Sequence, residues 1–296
     1  MERESKPVLA SIILLSLLRK SHTQRCIDSI FKFTPGTFEI IIVDMGYSDT
    51  ITAWLKRFSQ KRENIRVIFN SENVGTARGR NQAIDIASGK YLIFMDNDVV
   101  VTESWMDSLL TTAESSEMIG ACGAKVISGN HKVLMPPFSF KAYRDSGYLT
   151  RIGLELTKAY HKDDQVVNKE CHVQWYPTTC LLVKREAIDM VGGFDENLFL
   201  AEEDKDLSLN LEKHGYELVY VPTCCIYHIR TGSSVEYLKI RGDVKTLKND
   251  IAYFQQKWGC QVFIDCYKSY LRQIGLSDKE IEYKKRFDFF CNVIDR

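Results

Sequence analysis

The stretch Tyr91-Leu92-Ile93-Phe94-Met95-Asp96-Asn97-Asp98 decides how this chain is read. Its first five residues are mostly apolar and suit a strand buried on both faces. The run stops on Asp-x-Asp, so two carboxylates leave an extended turn on one side. Carboxylates at that place point into the crevice where open α/β sheets hold ligands. Their hard oxygens suit Mg²⁺ or Mn²⁺, and such an ion neutralises a diphosphate. The plain structural alternative is a solvated acidic turn.

Outward from this stretch, strands alternate with helices. Residues 8–16 and 39–43 read as buried strands, the second ending at Asp44, with 65–69 as a third strand and 91–95 as the fourth. Residues 22–33, 49–57 and 75–87 carry apolar side chains at helical spacing. This alternation predicts the α/β class: a Rossmann-like, mostly parallel central sheet flanked by helices. Residues 131–167 mix Pro136-Pro137, single aromatics and charges without a period, and read as an irregular, partly mobile excursion. Strands are expected again at 172–176 and 180–183, then a short helix from Arg185 and a turn at Gly192-Gly193. A helix over 203–214 precedes strands at 217–221 and 224–228, separated by Pro222. The tail reads as helix over 233–258 and 277–293, broken near Gly259 and Gly275.

Composition narrows the class. Lys+Arg and Asp+Glu are each 39 in 296 residues, so the formal charge is zero. With 26% charged and 45% hydrophobic residues, this is the composition of a globular enzyme, not of a collagen, coiled coil or disordered tail. Zero charge argues against general nucleic-acid binding, which needs a basic face. Nine cysteines without a CxxC pair read as reduced thiols of a cytosolic protein. The longest apolar run, 8–18, is shorter than the ~20 residues a spanning helix needs. Neither a signal peptide nor a transmembrane segment is expected. The expected localisation is cytoplasmic, with peripheral membrane attachment left open.

Several ordered motifs resemble glycosyltransferase family 2, whose fold is GT-A. Ala10-Ser11-Ile12-Ile13-Leu14-Leu15-Ser16-Leu17-Leu18-Arg19 is similar to the family's opening VSIVIPTYNR. Ser11 and Arg19 match, Ser16 stands for the usual Thr, and Leu15, Leu17 and Leu18 depart from the pattern. Val43-Asp44-Met45-Gly46-Tyr47-Ser48-Asp49 resembles VDNGSTD, with Gly46 placed for a sharp turn. Asn73-Val74-Gly75-Thr76-Ala77-Arg78-Gly79-Arg80-Asn81 resembles N-x-G-x-A-x-A-R-N. Downstream, residues 178–187 resemble GACLLIRREA with Thr178 in place of Gly. Gly192-Gly193-Phe194-Asp195-Glu196 resembles GGFDE, residues 202–208 resemble the acidic EDxDL motif, and Tyr220-Val221-Pro222 leads to Tyr227-His228.

The resemblance implies a metal-dependent, inverting glycosyltransferase, a hexosyltransferase, using a nucleotide-sugar donor, with UDP the first guess. It places Ser16, Arg19, Asp44, Gly75, Arg80, Asp96 and Asn97 around the donor. In it Asp44 accepts from the nucleobase, Asp96 holds the ribose, and Asp98 and His228 hold Mn²⁺ or Mg²⁺. For Arg80 the structural alternative is an ion pair with Asp44 or Asp96; for His228 it is a hydrogen-bonded strand-end histidine. An acceptor hydroxyl is a poor nucleophile near neutral pH, so a carboxylate must take its proton. Asp204 is the candidate base and Glu203 the runner-up; Asp206 binds the acceptor or caps the helix. His131, Tyr143, Tyr148, Tyr160, His161 and Tyr176 read as core and loop packing, with a sugar-stacking wall as the alternative, and Trp175, just before the 178–180 segment, is the aromatic singled out for such a wall.

The implied domains are 1–232, split at 125/126 into donor and acceptor halves, and a helical extension over 233–296. The acceptor stays open among glycan, lipid-linked, protein and small-molecule classes, and the oligomeric state is open. Two other readings compete. A sugar-1-phosphate nucleotidyltransferase would need a glycine-rich loop, and residues 16–20 hold no glycine. A non-catalytic nucleotide-sugar-binding protein on the same fold is the other.

Overall fold

The structure is a computed structural model, and it describes residues 7–17, 19–134, 138–143, 148–153, 160–229 and 244–259. The N-terminal half follows the expected alternation: β1 (Ala10–Ser16), α1 (Lys20–Phe33), β2 (Phe38–Asp44), α2 (Asp49–Ser59), β3 (Ile65–Phe69), α3 (Thr76–Ile86) and β4 (Tyr91–Asp96). These strands pair in parallel in the order β3-β2-β1-β4. The runs of β1, β2 and β4 lack polar alternation because both their faces are covered, whereas the outer strand β3 is only partly buried. Ile12 and Leu14 of β1 pack toward α1, α2 and α4 (Trp105–Glu114). Ile13 packs on the other face, toward α3, α5 (Arg185–Val191) and α6 (Glu203–Lys213).

The C-terminal half makes the sheet mixed. β10 (Cys180–Lys184) runs antiparallel between β4 and β6 (Ile119–Ile127). β11 (Glu217–His228) lies parallel to β6 and antiparallel to β5 (Val99–Val101) and β9 (Cys171–Val173). Among the described residues nine strands thus form one sheet. The helix α7 (Val244–Trp258) packs Leu247, Ile251 and Phe254 onto Leu198.

Three expectations are corrected. The 131–167 excursion holds an antiparallel hairpin, β7 (Phe138–Tyr143) with β8 (Tyr148–Gly153). In sequence Phe138, Phe140 and Ala142 alternate with Ser139 and Lys141, a two-residue period obscured by the neighbouring prolines. The two strands expected around Pro222 are one, β11. Its register against β6 jumps from Val221 opposite Ala124 to Cys225 opposite Lys125. That bulge accommodates a proline, which has no N–H for the ladder. The strand expected at 172–176 is only Cys171–Val173. Elements β5, α4 and β6 were not individually expected. The helical residues expected at 233–243 and 277–293 lie outside the described residues, as does Leu18.

Candidate active site and metal centre

The parallel register lines up three of the expected donor residues. Ser16 of β1 stands opposite Asp44 of β2, and Leu15 stands opposite Asp96 of β4. Ser16 Oγ is buried and has no hydrogen-bond partner among the described residues. Asp44 is buried; its carboxylate accepts from the Gly46 N–H at 3.3 Å and from the Thr52 hydroxyl. Gly46 has φ +73°, and a Cβ there would lie 2.6 Å from Glu72 N, so the turn requires glycine. Arg19, the residue before α1, also takes a left-handed conformation, φ 73°. Asn97 Nδ2 donates to Thr23 Oγ1 at 2.8 Å, tying the Asp-x-Asp turn to α1.

His228 reaches this edge from 130 residues away. The β5–β11 ladder places it opposite Val99, and Ile229 N donates to Asp98 O at 2.9 Å. His228 Nε2 then lies 2.9 Å from Asp98 Oδ1 and 3.8 Å from Asp96 Oδ2. One ligand atom from each of Asp96, Asp98 and His228 falls within 4.8 Å of the others. Two carboxylates and an imidazole converging from a strand end and a neighbouring strand fit a divalent cation. Carboxylate oxygens admit Mn²⁺ or Mg²⁺, and the imidazole nitrogen suits Mn²⁺ better of the two.

The acidic turn lies at the start of α6. Arg80 of α3 is buried and donates from Nη1 to Glu203 Oε1 at 2.7 Å and from Nη2 to Thr178 Oγ1 at 2.6 Å. Its ion-pair partner is therefore Glu203 and not Asp44 or Asp96. Arg80 also lies over the Phe194 ring, 5.2 Å from its centroid. This buried pair links the turn to the metal edge, because Thr179 O, next to Thr178, accepts from Asp96 N at 3.2 Å. Removing one partner of such a pair typically costs ~3–5 kcal/mol.

Among the described residues Asp204 has no comparable cationic partner in hydrogen-bond contact. Its Oδ1 accepts only the N–H of Lys205, at 2.8 Å, among its side-chain hydrogen bonds between described residues. Burial, then the Glu203 charge, push its carboxyl up to about 7, against the opposing pull of Lys205 and Arg80. Partial solvent access remains. Glu202, which precedes α6, is buried with φ 70°; its carboxylate accepts from Lys205 Nζ at 2.6 Å. A non-glycine residue held there carries backbone strain of ~1–2 kcal/mol.

Lys205 Nζ sits 5.6 Å over the Trp175 ring, so Trp175 is a buried wall beneath the turn. Tyr176 is core, packed against Gly123, where a Cβ would meet its ring at 2.1 Å. Tyr160 belongs to a small cluster with Val133 and Val167. Asp206 makes no capping hydrogen bond at the start of α6. Its carboxylate accepts from Trp258 Nε1 at 2.7 Å and Lys257 Nζ at 2.8 Å. Lys257, Trp258 and Asp250 were not expected at the site; local sequence gives no sign of contacts that span about fifty residues.

A parallel α/β half extended by a mixed half, with Asp-x-Asp and histidine at its edge, is the architecture of GT-A glycosyltransferases. Solved structures agree in fold. A structure of GalNAc-T7 with UDP, GalNAc and Mn²⁺ superposes with TM-score 0.61 at 17% identity, covering 97% of this chain. The chain spans 58% of that protein's length. The mannosyltransferase PcManGT from Pyrobaculum calidifontis, in complex with GDP-Man and Mn²⁺, superposes with TM-score 0.58 at 14% identity. It covers 86% of this chain and 67% of that one. The family model for glycosyl transferase family 2 matches residues 11–191, and the chain belongs to that family. An N-acetylglucosaminyl-diphospho-decaprenol L-rhamnosyltransferase of Mycobacterium tuberculosis is 28% identical over 236 residues, 72% of this chain and 73% of its own length. Among the described residues no helix is long and apolar enough to cross a membrane.

Proposed function

We propose that this glycosyltransferase moves a sugar from a nucleoside-diphosphate sugar to an acceptor hydroxyl with inversion, Asp204 acting as the base. The observation that carries this reading is the pairing of two sites. A three-ligand cluster of Asp96, Asp98 and His228 lies at the sheet edge, and an acidic turn is tied to that edge through Arg80 and Thr178.

Asp96, Asp98 and His228 would hold the cation. A divalent ion bound there supplies positive charge against a departing diphosphate. Ser16, Arg19, Asp44, Gly75, Arg80 and Asn97 frame the donor. Ser16 supports this with a buried hydroxyl that no described residue satisfies. Asp204 would accept the acceptor's proton at a carboxylate oxygen. A carboxyl near 7 is poised for that transfer at neutral pH, whereas Glu203 is committed to Arg80. One base on the acceptor side suits direct displacement.

UDP is the first nucleotide to test, because the GalNAc-T7 structure contains UDP. A lipid-linked diphosphate sugar is the first acceptor class, after the name of the Mycobacterium tuberculosis relative. The deciding experiment is a thermal-shift panel of UDP, GDP, CDP and dTDP with Mn²⁺, Mg²⁺ or EDTA. A ligand of the folded state raises the melting temperature by mass action. One nucleotide should stabilise the protein with Mn²⁺ and lose most of that effect in EDTA. Equal shifts with EDTA would remove the metal from the reading, and no shift with any nucleotide would remove the donor.

A further inference from the structure

We infer that α7 is a positioning element for the acidic turn, working through Asp250, Lys257 and Trp258; this rests on the reading of Asp204 as the base. The family match ends at residue 191, so both α6 and α7 lie beyond it.

The helix grips the segment before the turn and the first turn of α6. Asp250 is buried, and its carboxylate accepts three successive backbone N–H groups. These come from Phe199 at 3.1 Å, Leu200 at 2.7 Å and Ala201 at 2.9 Å. One turn further on, Tyr253 donates to Asp195 Oδ2 at 2.8 Å. Lys257 Nζ bridges Asp195 Oδ2, at 2.7 Å, and Asp206 Oδ1, at 2.8 Å. Trp258 Nε1 completes Asp206 Oδ1 at 2.7 Å. Burial alone would raise Asp195, but bonds from Lys257, Asn197 and Tyr253 hold it at about 2, so the Asp195 end of this clasp stays charged near neutral pH.

The gripped segment ends at Glu202, whose left-handed backbone is strained, and Asp204 follows two residues later. Such a conformation persists only where its surroundings over-determine it. Asp250 fixes the three residues on one side of Glu202, and Lys257 with Trp258 fix Asp206 on the other. The same segment also bears on the donor motif. Phe199 O accepts from Thr76 N at 2.7 Å, and a Cβ on Gly75 would lie 2.8 Å from the Phe199 ring. Loosening Asp250 therefore disturbs the turn and the start of α3 together. Loosening Trp258 disturbs the turn alone, and loosening Lys257 disturbs the turn and the Asp195 contact, with the start of α3 left in place.

The test compares Trp258→Phe, Lys257→Met and Asp250→Asn with wild type and with Asp204→Asn. Three quantities are read: pH profiles of Mn²⁺-dependent hydrolysis over UDP-, GDP- and dTDP-sugars, calorimetric affinity for UDP with Mn²⁺, and hydrogen exchange over residues 199–206. Trp258→Phe and Lys257→Met should lower kcat about 10- to 100-fold, as small misplacements do. They should move the acidic limb of the profile, speed exchange, and leave UDP affinity within about twofold. Asp250→Asn should lower both kcat and UDP affinity. Wild-type kcat and pH profile in Trp258→Phe and Lys257→Met would overturn the inference, whatever their melting temperatures. Lys257 is partly exposed, so its variant remains informative if Asp250→Asn does not fold. If Asp204→Asn stays active, the base assignment falls. If Asp204→Asn is inactive while the α7 variants match wild type, the positioning role falls.

Discussion

At the scale of single residues, the site divides carboxylates by their company. Glu203 has Arg80, Asp206 has Lys257 and Trp258, and Asp204 is left with a backbone N–H and neighbouring negative charge. Asp204→Asn should lower kcat by about 10²–10⁴-fold, the usual contribution of general-base catalysis, with nucleotide affinity unchanged. In wild type, turnover should climb with pH toward a limb near 7, because the base works deprotonated. The same shift acts on stability. A carboxyl whose folded pKa is raised helps stability at low pH and loses that help between about 4 and 7 as pH rises. Asp204→Asn should therefore melt above wild type by a larger margin at pH 8 than at pH 5, as differential scanning calorimetry would measure. Equal margins would mean that Asp204 titrates normally. His228→Ala should weaken Mn²⁺ dependence in calorimetry by about 10-fold or more while the melting temperature without metal changes little. An unchanged Mn²⁺ titration would leave His228 as a hydrogen-bond partner of Asp98 only.

At the scale of elements, local patterns and their limits both show. The strands β1 to β4 were legible because short, predominantly apolar segments of five to seven residues flanked by turns have few other homes. Asp44 and Asp96 were legible for the same reason, standing where such runs end. The pairing of His228 with Asp98 was not derivable from spacing, since it depends on β5 meeting β11 across the sheet; only family resemblance suggested it. The ion-pair alternative for Arg80 named Asp44 or Asp96, and sequence could not point to Glu203 because it comes from α6, a distant segment. The hairpin β7–β8 was lost to its prolines, and the α7 contacts to sequence distance. Gly75 offers an element-scale test. Its φ of +87° and its contact with Phe199 make Gly75→Ala both strained and crowded at the start of α3. It should cost about 1–3 kcal/mol, read in urea unfolding, and weaken UDP binding in parallel. A neutral substitution would mean that the α3 start and the Phe199 segment shift freely.

At the scale of the whole molecule, the zero formal charge supplies no net attraction for an anionic donor, which leaves its capture to local features at the sheet edge. Nucleotide stabilisation should then depend steeply on Mn²⁺ and weakly on added monovalent salt. A steep loss between 50 and 300 mM NaCl in the thermal-shift panel would point instead to a broad basic surface. The sheet order carries one more consequence. β4 is completed on one side by β1, made early, and on the other by β10, residues 180–184. During vectorial synthesis on the ribosome the parallel half can assemble while β10 is still unmade. Until then β4 presents a bare hydrogen-bonding edge with an almost wholly apolar sequence, the kind of edge that recruits other nascent chains. Fragments ending before residue 180 should aggregate as they emerge, and those extending past residue 228, with β10 and β11 in place, should stay dispersed.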